Sequence, residues 1–187
     1  MLFRSDLELL LGESEVRGAL AHASLFANVL NEEQTKDLAR RSRRVEVPRG
    51  ADLMQQNEVA ASMFIILEGA ARVTVLGQNN DPREVAVLAA GDHVGEMSLM
   101  TGAPRNATVT ALTRMRVLEI TKDPIEALLK KSPEMLQRFS HVLAKREQER
   151  AQIAQRTIQV STVENYLMAR MKTFFRSVLW SEPAKPN

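Results

Sequence analysis

Gly95, Glu96 and Arg105 stand at the two ends of a short stretch, GEMSLMTGAPRNATV, and their types suit one task, holding an anion. If the residues after Gly95 make one turn of helix, the N–H groups of Met97 and Ser98 precede the first helical hydrogen bond. They then point outward at the positive end of the peptide dipoles. Gly95 has no side chain to keep a ligand off the backbone. Pro104 fixes its own backbone angle and extends Ala103, so Arg105 is presented from a stiffened segment and can fork two N–H donors onto phosphate oxygens. Glu96 would repel that phosphate unless it faced a donor, and a ribose hydroxyl is such a donor. Glu96 and Arg105 together would bracket a sugar phosphate.

The elements that must position this loop separate by period. From Ser5 to about Arg41 the pattern is helical, and Asn31 followed by Gln34 predicts a capping box that opens a helix through Leu38. From about Arg43 to Ile120 the period shifts to two. Val45 and Val47 alternate with charged residues, MFIIL at 63–67 is a short apolar strand, and turn clusters recur at Pro48–Gly50, Glu68–Gly69, 77–82 and 89–92. Short strands at this spacing mean a sandwich, a jelly roll or a barrel. Helix signals return at Asp123, Pro124 and Glu126, read as an N-cap, a first-turn proline and a capping-box carboxylate, and again at Ser132-Pro133. Three domains follow: a helical segment over 1–42, a β domain with its C-terminal helices over 43–156, and an amphipathic tail helix with a disordered end over 157–187.

Bulk properties remove whole classes of function. Twenty-five Lys and Arg against 23 Asp and Glu leave a net charge of +2, so no strongly basic surface for nucleic acid is expected. The chain has no cysteine, which excludes disulfide frameworks, thiol catalysis and cysteine zinc sites and points to an intracellular setting. Its apolar runs are far shorter than the roughly 20 residues that span a bilayer, and no charged-then-apolar leader opens it. His22, His93 and His141 lack metal-ligand spacing, and His93, next to the cassette and within reach of a ligand there, reads first as a solvent-facing turn residue. No paired carboxylates or nucleophile elbow mark a catalytic centre, so the chain reads as a non-enzyme with no metal and no cofactor.

The order Gly-Glu-x-x-Leu, a short loop, then Pro-Arg-x-Ala-Thr-Val resembles the phosphate-binding cassette of cyclic-nucleotide-binding domains. The resemblance runs from about Ser24 to Arg146 and takes in SLFANV at 24–29, MFIILEGAARV at 63–73 and Gly91-Asp92. It implies a mainly β fold with flanking helices: an eight-stranded antiparallel jelly roll, N-terminal helices and a C-terminal lid helix. It also implies cAMP or cGMP as ligand, with cAMP favoured. By position, Arg105 would hold the cyclic phosphate and Glu96 the ribose 2'-hydroxyl, with the backbone of Gly95, Met97, Ser98, Asn106 and Ala107 completing the contacts. Arg146, Arg150 and Ile153 would be the lid residues within reach of the base. Val94, Ser98 and Asn106 depart from the commonest pattern, as do Asn57 and Glu58, which stand where Gly-Asp is frequent.

The expected function is a regulatory domain that turns ligand binding into helix rearrangement, with Leu99 and Met100 passing the shift to the helices after Ile120. Its expected setting is the cytoplasm, as the cytoplasmic part of an inner-membrane channel or as a homo-oligomer. A catabolite-activator-type transcription regulator is the alternative, although no helix-turn-helix is evident past Glu147. ARRSRR at 39–44 superficially fits a pseudosubstrate segment but reads as a solvated helix end. The apolar stripe from Val163 to Leu179 fits a dimer helix better than a membrane-surface helix or one returning onto the jelly roll.

Overall fold

The computed structural model describes residues 4–23, 25–27, 29–77, 81–153 and 160–179. Two helices come first, α1 (Arg4–His22) and α2 (Glu32–Arg41). Asn31 caps α2 as the sequence predicts: its Oδ1 accepts from Gln34 N at 2.9 Å, and Gln34 Oε1 accepts from Asn31 N at 2.9 Å. The SLFANV segment between the helices is a core anchor, with Leu25, Phe26 and Val29 buried.

Eight strands follow: β1 (Arg43–Val47), β2 (Asp52–Met54), β3 (Ser62–Glu68), β4 (Ala70–Leu76), β5 (Pro82–Ala89), β6 (His93–Val94), β7 (Thr108–Ala111) and β8 (Met115–Thr121). They form two antiparallel four-stranded sheets, β1-β8-β3-β6 and β2-β7-β4-β5, which together make the jelly roll. The short helix α3 (Glu96–Thr101) leaves β6, and α4 (Lys122–Lys131), α5 (Met135–Ile153), α6 (Val160–Phe174) and α7 (Arg176–Leu179) follow among the described residues.

The apolar run of β3 is explained by two cores on its two faces. Met63 and Ile65 face the helices, and Phe64 and Ile66 face the space between the sheets. β8 divides the same way, with Leu118 and Ile120 toward the helices and Met115 and Val117 between the sheets. Leu99 and Met100 of α3 sit in the helix-side core, so the cassette helix is packed against the same surface as α4 and α5.

Two expectations are corrected. The cap of α4 is Thr121, with no side-chain hydrogen bond, so Asp123 and Pro124 lie inside the first turn, where a carboxylate and a missing N–H are both tolerated. The tail helix α6 returns onto the domain: Leu167, Met171 and the neighbouring Phe175 are buried in the helix-side core, while Tyr166 stays exposed. Gly102, which caps α3 with φ +67, makes room for this, since a Cβ there would sit 2.6 Å from the Phe174 ring. The Lys122 ammonium lies 4.1 Å from the centre of that ring. The 181–187 tail lies outside the described residues.

Candidate functional site

The cassette is built by local backbone chemistry. Gly95 adopts φ +89, a left-handed conformation that side chains resist, and turns β6 into α3. The first rung of α3 is Leu99 N–H to Gly95 O at 3.1 Å, so the amides of Met97 and Ser98 fall before it, as expected. The β2–β3 loop holds the other end. Asn57 N donates to Arg105 O at 2.8 Å and Arg105 N donates to Glu58 O at 2.9 Å. Asn57, at φ +69, supplies the left-handed turn that glycine gives elsewhere, because asparagine tolerates that region.

A cavity of about 560 Å³ opens beside this loop. Gly95, Glu96, Met97 and Ser98 line it on one side with Asn106 and Ala107, so six of the seven proposed contact residues meet around one space. The opposite wall is apolar: Val73 from β4 and Val85, Ala86 and Leu88 from β5. A register shift between Val73 and Thr74 opposes two residues of β4 to three of β5, and Val85 lies in that bulge. Such a space pairs a polar backbone cradle with a flat apolar face, and so suits a ligand with an anionic end and a ring.

Arg105, the seventh residue, does not line the cavity but is bonded to Gly95, which does. Its guanidinium occupies the space a side chain at Gly95 would need, and Gly95 itself lines the cavity. Arg105 is 2 % exposed. Nη1 donates to Ser62 O and, at 3.3 Å, to Gly95 O, and Nη2 donates to Ser62 Oγ at 2.9 Å. Three of its five possible N–H donors thus find acceptors, all of them neutral, and the buried Nε finds none. The Phe64 ring lies 5.7 Å below. Burial pulls the guanidinium below its ordinary pKa, opposed by the fields of Glu58, Glu119 and Glu96, yet an arginine stays charged at neutral pH.

His93 corrects its expected placement. It is 7 % exposed, pairs with Ile65 in β6 and lines the cavity, because β6 is drawn beneath the second sheet by its pairing with β3. The apolar wall and Val94, also at the cavity, were not singled out as site residues. The alternation Val85–Val87 marked only a strand, and the bulge that turns Val85 toward the cavity has no local signature. The side chains of Arg146, Arg150 and Ile153 lie outside the described residues. Among the described residues no group of His, Asp and Glu is arranged to hold a metal, and no helix is long and apolar enough to cross a membrane.

Residues 44–132 match the cyclic nucleotide-binding domain family. A cyclic nucleotide-gated potassium channel of Rhizobium etli is 40 % identical over 89 residues, 48 % of this chain and 23 % of the channel. A CRP-like cAMP-activated global transcriptional regulator of Mycobacterium tuberculosis is 24 % identical over 127 residues, 68 % of this chain and 56 % of that protein. The chain therefore spans well under two thirds of the length of either relative. Among solved structures, the N-terminal domain of a transcriptional regulator from Streptomyces coelicolor A3(2) superposes with a TM-score of 0.61 at 26 % identity, over 70 % of this chain and 93 % of that domain. With jelly roll, cassette and sequence in agreement, residues 44–132 belong to the cyclic nucleotide-binding domain family.

Proposed function

We propose that the cavity beside Gly95–Ser98 binds a cyclic nucleotide, cAMP in preference to cGMP, and that the domain converts binding into helix movement to regulate a larger membrane protein such as a bacterial channel. The observation that carries this is Arg105. A guanidinium that is 2 % exposed, bonded only to neutral acceptors and left with an unmade Nε–H bond is an unbalanced buried charge. A phosphodiester at the Met97 and Ser98 amides would balance it. Glu96, buried at the cavity, would accept from a ribose hydroxyl, and the β4–β5 wall would face the base.

The route outward starts at α3. Ligand that draws the cassette inward moves Leu99 and Met100, which share a core with α4, α5 and α6. Binding becomes motion only when two helix arrangements differ in affinity for the ligand. The channel relative supports a membrane-protein target, and the cAMP in the name of the Mycobacterium regulator supports the purine choice. That regulator also favours the alternative, a transcription factor. Against it, α6 folds back onto the domain, leaving no projecting recognition helix among the described residues.

A ligand of roughly 22 non-hydrogen atoms gaining about 0.3–0.4 kcal/mol per atom reaches a Kd near micromolar, which suits a signal. Calorimetric titration of the chain with cAMP and cGMP tests the proposal. One site per chain with the tighter constant for cAMP is expected. Absence of binding to either nucleotide at millimolar concentration overturns it, and tighter cGMP binding overturns the purine choice.

A further inference from the structure

A second, smaller pocket lies between α1, α2 and the start of β1, sharing no lining residue with the cassette cavity. Its volume is about 110 Å³. Four cations line it, Arg17, Lys36, Arg40 and Arg44, against one carboxylate, Glu13. The ARRSRR segment supplies two of them, while its other arginines are already engaged: Arg41 with Asp37 at 3.1 Å and Arg43 with Glu119 at 2.6 Å. Among the described residues Arg17, Arg40 and Arg44 make no ion pair, and Lys36 is held by Glu32 at 2.6 Å.

Two details show that the cluster is shaped and not merely crowded. Arg17 is half-buried, and its Nε is shut off from solvent with no hydrogen-bond partner. Arg44 reaches over α1 at Gly12, where its guanidinium fills the space a side chain would take, so the absence of a Cβ lets it approach the pocket. Like charges in excess of their counter-charge repel one another, and an unmade N–H bond away from water is unfavourable. Planar guanidinium forks match the oxygens of a tetrahedral anion, and a pocket this small admits one such group.

We infer that the α1–α2 pocket is a second anion site, which takes a phosphate group, either as a free small anion or as a lipid headgroup, through Arg17, Arg40 and Arg44. The inference is independent of the cyclic-nucleotide proposal. Lys36 lends charge from the pocket wall, and Glu13 at the exposed rim limits how much negative charge the site accepts.

The Nε–Hε resonance of Arg17 in the full chain reports occupancy directly. Two probes are titrated: inorganic phosphate, and vesicles of phosphatidylcholine with and without phosphatidic acid. Saturable movement with inorganic phosphate, beyond that caused by chloride at equal ionic strength, identifies a free-anion site. Movement only with vesicles containing phosphatidic acid identifies a headgroup site. An Arg40→Ala/Arg44→Ala double variant should weaken the response at least tenfold and leave cyclic-nucleotide affinity unchanged. Gly12→Ala keeps every charge, suits a helix and displaces Arg44, so it too should weaken binding. No saturation with either probe, an equal response to chloride, or wild-type response in the double variant overturns the inference.

Discussion

Two sets of arginines divide this molecule, and they obey opposite rules. Around the β1-β8-β3-β6 sheet, Arg114 meets Glu46 at 2.5 Å, Arg43 meets Glu119 at 2.6 Å, and Arg116 meets both Glu15 and Glu68 at 2.8 Å. Hydrogen bonds to Glu15 and Glu68 hold the Arg116 pKa well above its ordinary value. At least one partner of each pair is open to water, which screens it, and each contributes little to stability. Arg105 is the reverse: enclosed, without a carboxylate in hydrogen-bond contact, and bonded to a serine and two backbone carbonyls. A fold gains little by burying such a cation. Its presence is explained by a ligand that completes it, and the contrast between the two sets separates charge kept for solubility from charge kept for binding.

The sharpest way to break that contrast is Arg105→Ala. Two charge-assisted bonds of about 1.5–3 kcal/mol each would be lost, so affinity for cAMP measured by calorimetry should fall a hundredfold or more. Gly95→Ala comes next. Its φ of +89 strains any side chain, and a Cβ would overlap the Arg105 guanidinium and lie 2.9 Å from Ser62 O. A left-handed residue costs roughly 1–2 kcal/mol, so cAMP binding should weaken about five- to thirtyfold in the same assay. Ser62→Asp sharpens the comparison from the other side by giving Arg105 the carboxylate its outer counterparts have. The melting temperature should rise while affinity drops about tenfold, because the phosphate then competes with an ion pair. Arg116→Ala should do least: under about 1 kcal/mol by urea denaturation, with affinity unchanged.

The cassette was legible in the sequence because its chemistry is local. Gly95, the α3 turn and Pro104-Arg105 lie within eleven residues, and each acts through backbone geometry that residue type dictates. The capping box at Asn31 and the strands around MFIIL were legible for the same reason. What escaped reading depends on partners far along the chain. Ser62, which accepts from Arg105, is 43 residues away and carries no motif. The apolar wall at Val85 needs a bulge against β4, and the burial of His93 needs β6 to pair with β3. The stripe on α6 announced an apolar face but not its destination. Its docking depends on Gly102 leaving a hollow for Phe174, a steric match that no periodicity encodes.

The central claim is that the unmade bond at Arg105 Nε belongs to a nucleotide phosphate, and the side-chain Nε–Hε resonance of Arg105 in an isotopically labelled chain tests it directly. Titrated with cAMP, that resonance should move and saturate at one equivalent per chain, in step with the amides of Met97 and Ser98. If cAMP binds while the Arg105 resonance stays in place, or if no signal of the cassette responds at any ratio, the claim is contradicted.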